Sequence, residues 1–599
     1  MNKKKLIPSC NLALLNYLVS ISIISGSFQL LQVTQAQPTL TPTNVSTDPS
    51  EAAILNKMFE RWGISAASSW NISGELCSGA AIDSTLLQTM SPGIKCDCNS
   101  NRTCHITGLR VYDLDVIGAI PDELWNLTFI DDLDLRVNFF TGPISPAIGR
   151  LNQMKYLALG NNALSGPLPS EIGSLNQLIS LGLGLNNFSG PLPSSFGNLT
   201  KLTQIFIASM GLTGTIPSTF ADLRSLGILQ ASDNALTGRI PDFIGNMELR
   251  VLRLQGNAFE GPIPASFSNL TTIEELMVSD LSNGSSSLDF LLNLKSLNRL
   301  VLRNNNISGS IPSNIGEYRN LTQLDLSFNN LTGSIPESLL NMSSLVHLFL
   351  GSNKLVGPLP AQRSTSLHTI DLSYNELSGG FPSWVSQNNM NLNLVANNFT
   401  MGDPNSSNLP RGLNCIQRNF PCNRGSPIYS SFAIKCGGAQ IRSSDQILYE
   451  TDNETLGPAN FYMTSTSRWA VSNVGLPTDA TNPLYKSVSF GQYGNTNDSE
   501  LFQSARLSAG SLRYYGLGLE NGNYTLNLQF AEGLIQDPPL YESTGRRMFD
   551  VYIQVCNSSI SLCNKERYHM WTCSNFLFKS LLHDKGNINV ITCKYIAQD

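Results

Sequence analysis

Charge is scarce in this chain: of 599 residues, 14% are Asp, Glu, Lys or Arg, against about 25% in an ordinary globular protein. That excludes a disordered polyelectrolyte and a charged coiled coil. No basic excess exists either. The formal net charge is -6, which argues against nucleic acid as a partner, because phosphate binding needs a concentrated basic face. Histidine is rarer still, and His105, His347, His368, His569 and His583 show no spacing that would place two of them on one metal ion, so no metal site is expected. Beyond the N-terminus no window holds the roughly 18 apolar residues that a membrane-crossing helix needs, and no transmembrane segment is expected there.

The N-terminus itself has a basic start (Lys3, Lys4, Lys5), an apolar stretch from Leu12 to Ile24 and a small-residue exit at Thr34, Gln35 and Ala36. Residues 1–36 read as a cleaved secretory signal peptide. Of twelve cysteines, Cys10 lies in the signal, which leaves an odd number in a compartment where cysteines pair. The unpaired thiol is expected in the C-terminal tail, where Cys556, Cys563, Cys573 and Cys593 crowd together. About eighteen Asn-x-Ser/Thr sequons, among them Asn71, Asn126, Asn198, Asn269, Asn320, Asn341, Asn453 and Asn523, mark a secretory-pathway glycoprotein.

Glycine and proline are present at ordinary levels, and their placement carries the signal. The segment Gly-x-hydrophobic-Pro recurs at Gly118, Gly166, Gly190, Gly214, Gly238, Gly261, Gly309, Gly333 and Gly357, with a Ser-ended variant at Gly142 and a final Gly-Gly-Phe-Pro at Gly379. The step is 24 residues almost throughout, and the doubled interval from Gly261 to Gly309 hides a degenerate repeat containing Asn283-Gly284. Upstream of each Gly lies Leu-x-x-Leu-x-Leu-x-x-Asn, as in Met154, Leu157, Leu159 and Asn162, or Leu321, Leu324, Leu326 and Asn329. Period-2 leucines predict a short strand with one face buried, and the fixed step makes each strand equivalent to the next. The Asn is tolerated inside only if its amide bonds the backbone of adjacent coils. A right-handed solenoid with a parallel sheet on its concave side follows, about 60 Å long at roughly 4.8 Å per strand.

Leu326-Ser-Phe-Asn-Asn-Leu-Thr-Gly-Ser-Ile-Pro336 resembles the plant extracellular leucine-rich repeat family, and the likeness covers residues 109–400. Residues 37–108, with Trp62, Trp70, Cys77, Cys96, Cys98 and Cys104, look like its disulfide-stapled N-terminal cap. Cys98 with Cys104 is the expected local bridge, which leaves Cys77 for Cys96. Cys415 and Cys422 flank a short loop in the stretch 401–431 that closes the repeats.

From about Phe432 the 24-residue step disappears and short alternating runs take over (Leu484 to Phe490, Ala505 to Leu507, Tyr524 to Phe530, Phe549 to Gln554), the spacing of an antiparallel β-sandwich. Phe432-Ala-Ile-Lys-Cys436-Gly-Gly438, Trp469-Ala-Val-Ser472 and Gly545-Arg-Arg-Met-Phe-Asp-Val-Tyr-Ile-Gln554 look like the malectin-like domain of plant receptor-like kinases. The combination resembles the leucine-rich repeat and malectin subfamily of receptor-like serine/threonine kinases. The likeness stops at Gln554, and residues 555–599 match neither sandwich nor kinase; a truncated or mis-spliced gene is one account, a natural short form the other.

No Gly-rich nucleotide loop, His-Arg-Asp or Asp-Phe-Gly occurs, so no catalysis is expected on this chain, and ATP and magnesium belong only to the kinase domain that the resemblance implies elsewhere. Asp132 and Asp134, a spacing open to glycosidase chemistry, are expected to be merely solvated. On Leu-x-Leu-x strands the x residues leave the concave face. The candidate ligand surface is therefore Tyr156, Gln204, Phe206, Gln230, Arg253, Gln255, Glu275, Arg299, Arg303, Asp325, His347 and Phe349. Its arginines suit an acidic group, and tyrosines and Trp469 in the sandwich could stack on sugars. The resemblance implies an extracellular ligand-sensing region that takes a peptide, a cell-wall carbohydrate or a co-receptor ectodomain. The competing expectation is a soluble apoplastic binding or inhibitor protein.

Overall fold

A computed structural model describes residues 46–64, 75–78, 90–100, 102–388, 390–400, 409–418, 421–422, 428–477, 483–488 and 497–520, with the backbone of strands 525–529, 548–553, 572–577 and 589–596. The expected signal peptide lies outside the described residues.

The chain enters through a capped helix, Pro49–Trp62. Asp48 accepts from the backbone N–H of Ser50 and Glu51, Pro49 opens the helix, and Gly63 closes it in the left-handed conformation at φ 64°. Its buried Leu55, Met58 and Phe59 cover the open end of the solenoid core, as a terminal coil requires. Beside it Gly93–Cys98 and Thr103–Arg110 form an antiparallel hairpin, tied across its tip by Cys98–Cys104, with Cys77–Cys96 holding the preceding segment.

From Thr103–Arg110 onward every strand is parallel to the last. Asp132–Asp134, Tyr156–Ala158, Ser180–Gly182, Gln204–Phe206, Ile228–Gln230, Val251–Arg253, Glu275–Met277, Arg299–Val301, Gln323–Asp325, His347–Phe349, Thr369–Asp371 and Asn391–Asn393 follow in order within one 15-stranded sheet. Equivalent residues face each other, as in Leu157 with Leu181 and Ile205 with Leu229. After each strand the chain turns through a Gly at positive φ, between 74° and 90° at Gly142, Gly166, Gly190, Gly214, Gly309, Gly333 and Gly357. A Pro then leads into the returning segment. In most coils that segment is a five-residue 3-10 turn, such as Ser170–Ser174 or Ser194–Asn198; at Glu337–Leu340 it is a single α-helical turn. Each turn drops one apolar residue (Ile172, Phe196, Phe220, Ile244, Phe267) into the core.

A column of buried asparagines stitches the coils together. Asn162 donates from Nδ2 to the carbonyls of Leu135 and Leu159 (both 3.0 Å), and its Oδ1 accepts from the N–H of Phe140. Asn186, Asn234, Asn329 and Asn353 repeat the pattern. One side chain thus satisfies groups on two coils that a tight turn would leave unpaired. Replacing Asn186 by Ala orphans the Leu183 carbonyl and the Leu164 N–H and removes one of the two amide donors from the Leu159 carbonyl, which Asn162 still serves. At roughly 1–3 kcal/mol per unsatisfied buried group, the variant should lose several kcal/mol in chemical denaturation, whereas Asn187→Ala, exposed one position on, should lose under about 0.5 kcal/mol.

Cys415–Cys422 closes the far end, where the N–H of Ala396 donates to the Ile416 carbonyl. The second domain then builds an antiparallel sheet in the order Ala459–Met463, Trp469–Val474, Ser511–Gly516, Asn589–Ile596, Met548–Ile553. Residues 555–599 are therefore not wholly foreign to the sandwich, since their last strand pairs with Ser511–Gly516. Among the described residues the free cysteine is Cys436; the side chains of the tail cysteines, where the unpaired thiol is expected, lie outside the description. Trp469 is buried, packs near Tyr462 and Tyr514, and donates from its indole N–H to Glu450. It is a core residue, not a sugar-stacking platform.

Candidate functional site

The long sheet presents one face to solvent over its first half only. Tyr156 stands 42% exposed, in register between Asp132 and Ser180, and Gln204, Phe206, Ile228 and Gln230 are half-buried two and three strands further on. The strands from Ser180 to Gln230 carry no charge, so a partner there meets amides and aromatic surface.

At the N-terminal edge of this face the acidic pair is not simply solvated. Asp134 is buried and accepts from Arg136 at 2.8 and 2.9 Å, with Arg110 at 3.9 Å. Both guanidinium groups lie over the Tyr112 ring, at 5.5 and 4.8 Å from its centre. Asp132 is the looser member; burial first, then Asp134 and Asp131, push its carboxyl up to about 6.

Further along, the expected cationic stripe is neutralised from within. Glu275 accepts from Arg253 Nε at 2.5 Å and lies 3.7 Å from Arg299 Nη1, while Arg299 Nε donates to Gln323 Oε1. Arg253 is itself buried. Arg253, Glu275 and Arg299 form an ion network along the sheet and are not free for an acidic ligand. Gln255 sits half-buried beside them.

The second half of the face is covered. Phe349 is 0% exposed and packs against Ala459 and Val474 of the second domain. Arg303 donates from Nη1 to the Ala509 carbonyl at 3.2 Å. Asp325 and Asp371 are buried, and Asn393 donates to Ser472 Oγ across the contact at 2.8 Å. His347 lies at the border, half-buried with its Nδ1 unpartnered; burial, then His368 and Arg299, push its pKa down. Arg303, Asp325 and Phe349 therefore belong to a domain contact and not to an open ligand surface. Outward register positions were legible, but the repeats do not reveal what lies on top of them.

Three residues of this contact escaped the sequence reading altogether. Phe328, Ser352 and Tyr374 occupy the same left-handed position after successive strands, at φ 58°, 57° and 55°. All three meet Arg513 of the second domain. Its guanidinium lies 3.8 Å from the Tyr374 ring centre and 5.3 Å from that of Phe328, and its Nη2 donates to Ser352 Oγ at 2.7 Å. A bulky ring at positive φ is sterically disfavoured. Aromatic residues three places after the strand, where Asn161 and Asp233 stand in earlier coils, were the available signal.

Of the expected glycosylation sites, Asn126, Asn198, Asn269, Asn320, Asn341 and Asn453 are exposed. Asn71 and Asn523 lie outside the described residues.

This architecture defines a leucine-rich repeat protein joined to a malectin domain. The malectin domain family matches residues 430–558, and the leucine-rich repeat families match residues 248–270, 295–355 and 366–388. The chain is related to plant leucine-rich repeat receptor-like kinases. It is 36% identical over 480 residues to a probable LRR receptor-like serine/threonine-protein kinase of Arabidopsis thaliana, covering 77% of this chain and 44% of the relative. To another of that description it is 56% identical over 195 residues, 32% of this chain and 19% of the relative. The chain thus spans less than half the length of these relatives. Among solved structures it is similar to the Arabidopsis receptor kinase HAESA, solved with a peptide hormone and a co-receptor, at 28% identity and a TM-score of 0.48 over 59% of this chain and 62% of that one. No helix among the described residues is long and apolar enough to cross a membrane.

The two halves of the face should respond differently to truncation. Phe349→Ala empties a buried contact and should cost roughly 3–5 kcal/mol in equilibrium denaturation. Tyr156→Ala, on the open half, should change stability by less than about 0.5 kcal/mol.

Proposed function

We propose that this chain is the extracellular ligand-sensing region of a leucine-rich repeat receptor-like serine/threonine kinase at the plasma membrane, and that its ligand lies along the open strands from Tyr156 to Gln230. The observation that carries the reading is the division of one sheet into a covered half and an open half. Only the open half offers a rigid, uncharged surface with two aromatic rings, Tyr156 and Phe206, flanked by amide groups. An extended peptide or a cell-wall oligosaccharide suits it. Rings give large contact area at low entropic cost, and Gln204 and Gln230 supply donors and acceptors to either backbone or hydroxyl groups. Kinship with receptor-like kinases over 77% of this chain supports the same reading. ATP and magnesium serve only the kinase domain of such a receptor, and a co-receptor ectodomain is a further expected partner.

Screening secreted peptides and cell-wall oligosaccharides against the purified chain supplies the ligand. Tyr156→Ala with Phe206→Ala should then weaken it about 30-fold or more by calorimetry, since central aromatic anchors are worth roughly 2 kcal/mol or more. Unchanged affinity would remove this surface from consideration. Sequencing the full transcript tests the receptor assignment: a frame continuing into a membrane-spanning run and kinase motifs is expected, whereas a stop codon after Asp599 in the mature message would favour a soluble binding protein.

A further inference from the structure

The contact between the two domains buries charge in an unusual way. Among the earlier coils Phe206, Gln230 and Val301, each the last residue of its strand, keep some solvent, whereas Asp134 and Arg253, both paired with opposite charge, and Met277 are buried at that register. At the same register Asp325 is 8% and Asp371 1% exposed. The strand Ala459–Met463 of the second domain lies against Thr369–Asp371 and Asn391–Asn393, so its presence separates Asp371 from water, and Asp325 sits in register beside Phe349, which the same domain covers. Asp371 accepts from the N–H of Ser373, and Asp325 from the N–H and hydroxyl of Ser327. Over them Arg513 is clamped by Tyr374, Phe328 and Ser352, with its Nε donating to Ser511 and its Nη1 buried without a partner.

We propose that this contact is a proton-gated latch: Arg513 seats the malectin domain on the last coils, and protonation of Asp325 and Asp371 holds it there. The proposal stands independently of any ligand on the open half.

The direction follows from linkage. Burial pushes the Asp371 carboxyl up to about 6, reinforced by Asp325 and opposed by Ser373 and Arg513. Burial likewise raises Asp325 against the opposing pull of Arg303 and Ser327. With the domains apart, both carboxyls regain water and return toward the ordinary value of 3.8. The seated form therefore binds protons more tightly. Its advantage is complete below 3.8 and is lost as pH rises through about 6. The other groups facing the contact set the background. Arg303 and Arg513 are the cations at the contact. Tyr374 and Tyr515, pushed up by burial, stay neutral. His347 at the border runs the other way, since burial, His368 and Arg299 lower it and acid below its ordinary range opposes seating. The two carboxyls act against this one imidazole, so seating tightens on acidification.

Ser472, 1% exposed beneath Asn393, reports opening. In the full chain carrying Ser472→Cys, labelling by a neutral maleimide is corrected for thiol ionisation against the denatured chain and mapped by mass spectrometry, so that Cys436 is counted separately. The rate should rise roughly 25-fold or more between pH 4.5 and 7, as linkage gives for a carboxyl moved from 3.8 to about 6. Adding Asp371→Asn should cut that rise about tenfold or more, and adding His347→Gln should enlarge it. Asn393→Cys provides the reciprocal probe should Ser472→Cys fail to fold. A corrected rate that is flat or falls with pH, or an undiminished rise in Asp371→Asn, would overturn the latch.

Discussion

A single buried amide per coil is the interaction on which the rest of this structure depends. A 24-residue coil must turn sharply after a three-residue strand, and the turn strands backbone donors and acceptors inside an apolar core. The asparagine at the turn bonds the carbonyls of its own coil and the one before, and accepts from an N–H of the previous coil. This fixes the stacking distance and keeps successive strands in register. Where Met210 and Leu281 stand at that place, Asn234 and Asn305 of the following coils still accept from their N–H groups, so the column survives two missing members.

Regular stacking gives a rigid sheet whose outward residues form a fixed array, and the second domain then selects which part of it remains available. Aromatic rings at the left-handed corner of successive coils hold one arginine, and that grip lays the malectin sheet over the last strands. The cost is two buried carboxylates, and they make the contact sensitive to protons. The outward face of the sheet is thus open over the early coils and occupied by the malectin domain over the late ones.

Much of this was legible in the sequence because the governing patterns are local and repeated. Leucine spacing, the glycine-proline step, the interior asparagines and the cysteine pairs of both caps all depend on neighbours within one coil or the next. The candidate site was less legible. Arg253 and Arg299 look like free cations in the sequence, but the fold places Glu275 on the strand between theirs, where it pairs with both. Asp134 looks solvated by its alternation, yet Arg136, two residues on, folds back onto it.

By itself the sequence determined the solenoid, its period, its caps and the residues on each strand that face outward, since a 24-residue step leaves the chain little freedom in where each side chain points. Only the tertiary structure decided which of those residues meet solvent. The reason is that the covering contact joins residues far apart in the chain, Arg303 with Ala509 and Ser352 with Arg513, and no periodic pattern encodes a pairing made once.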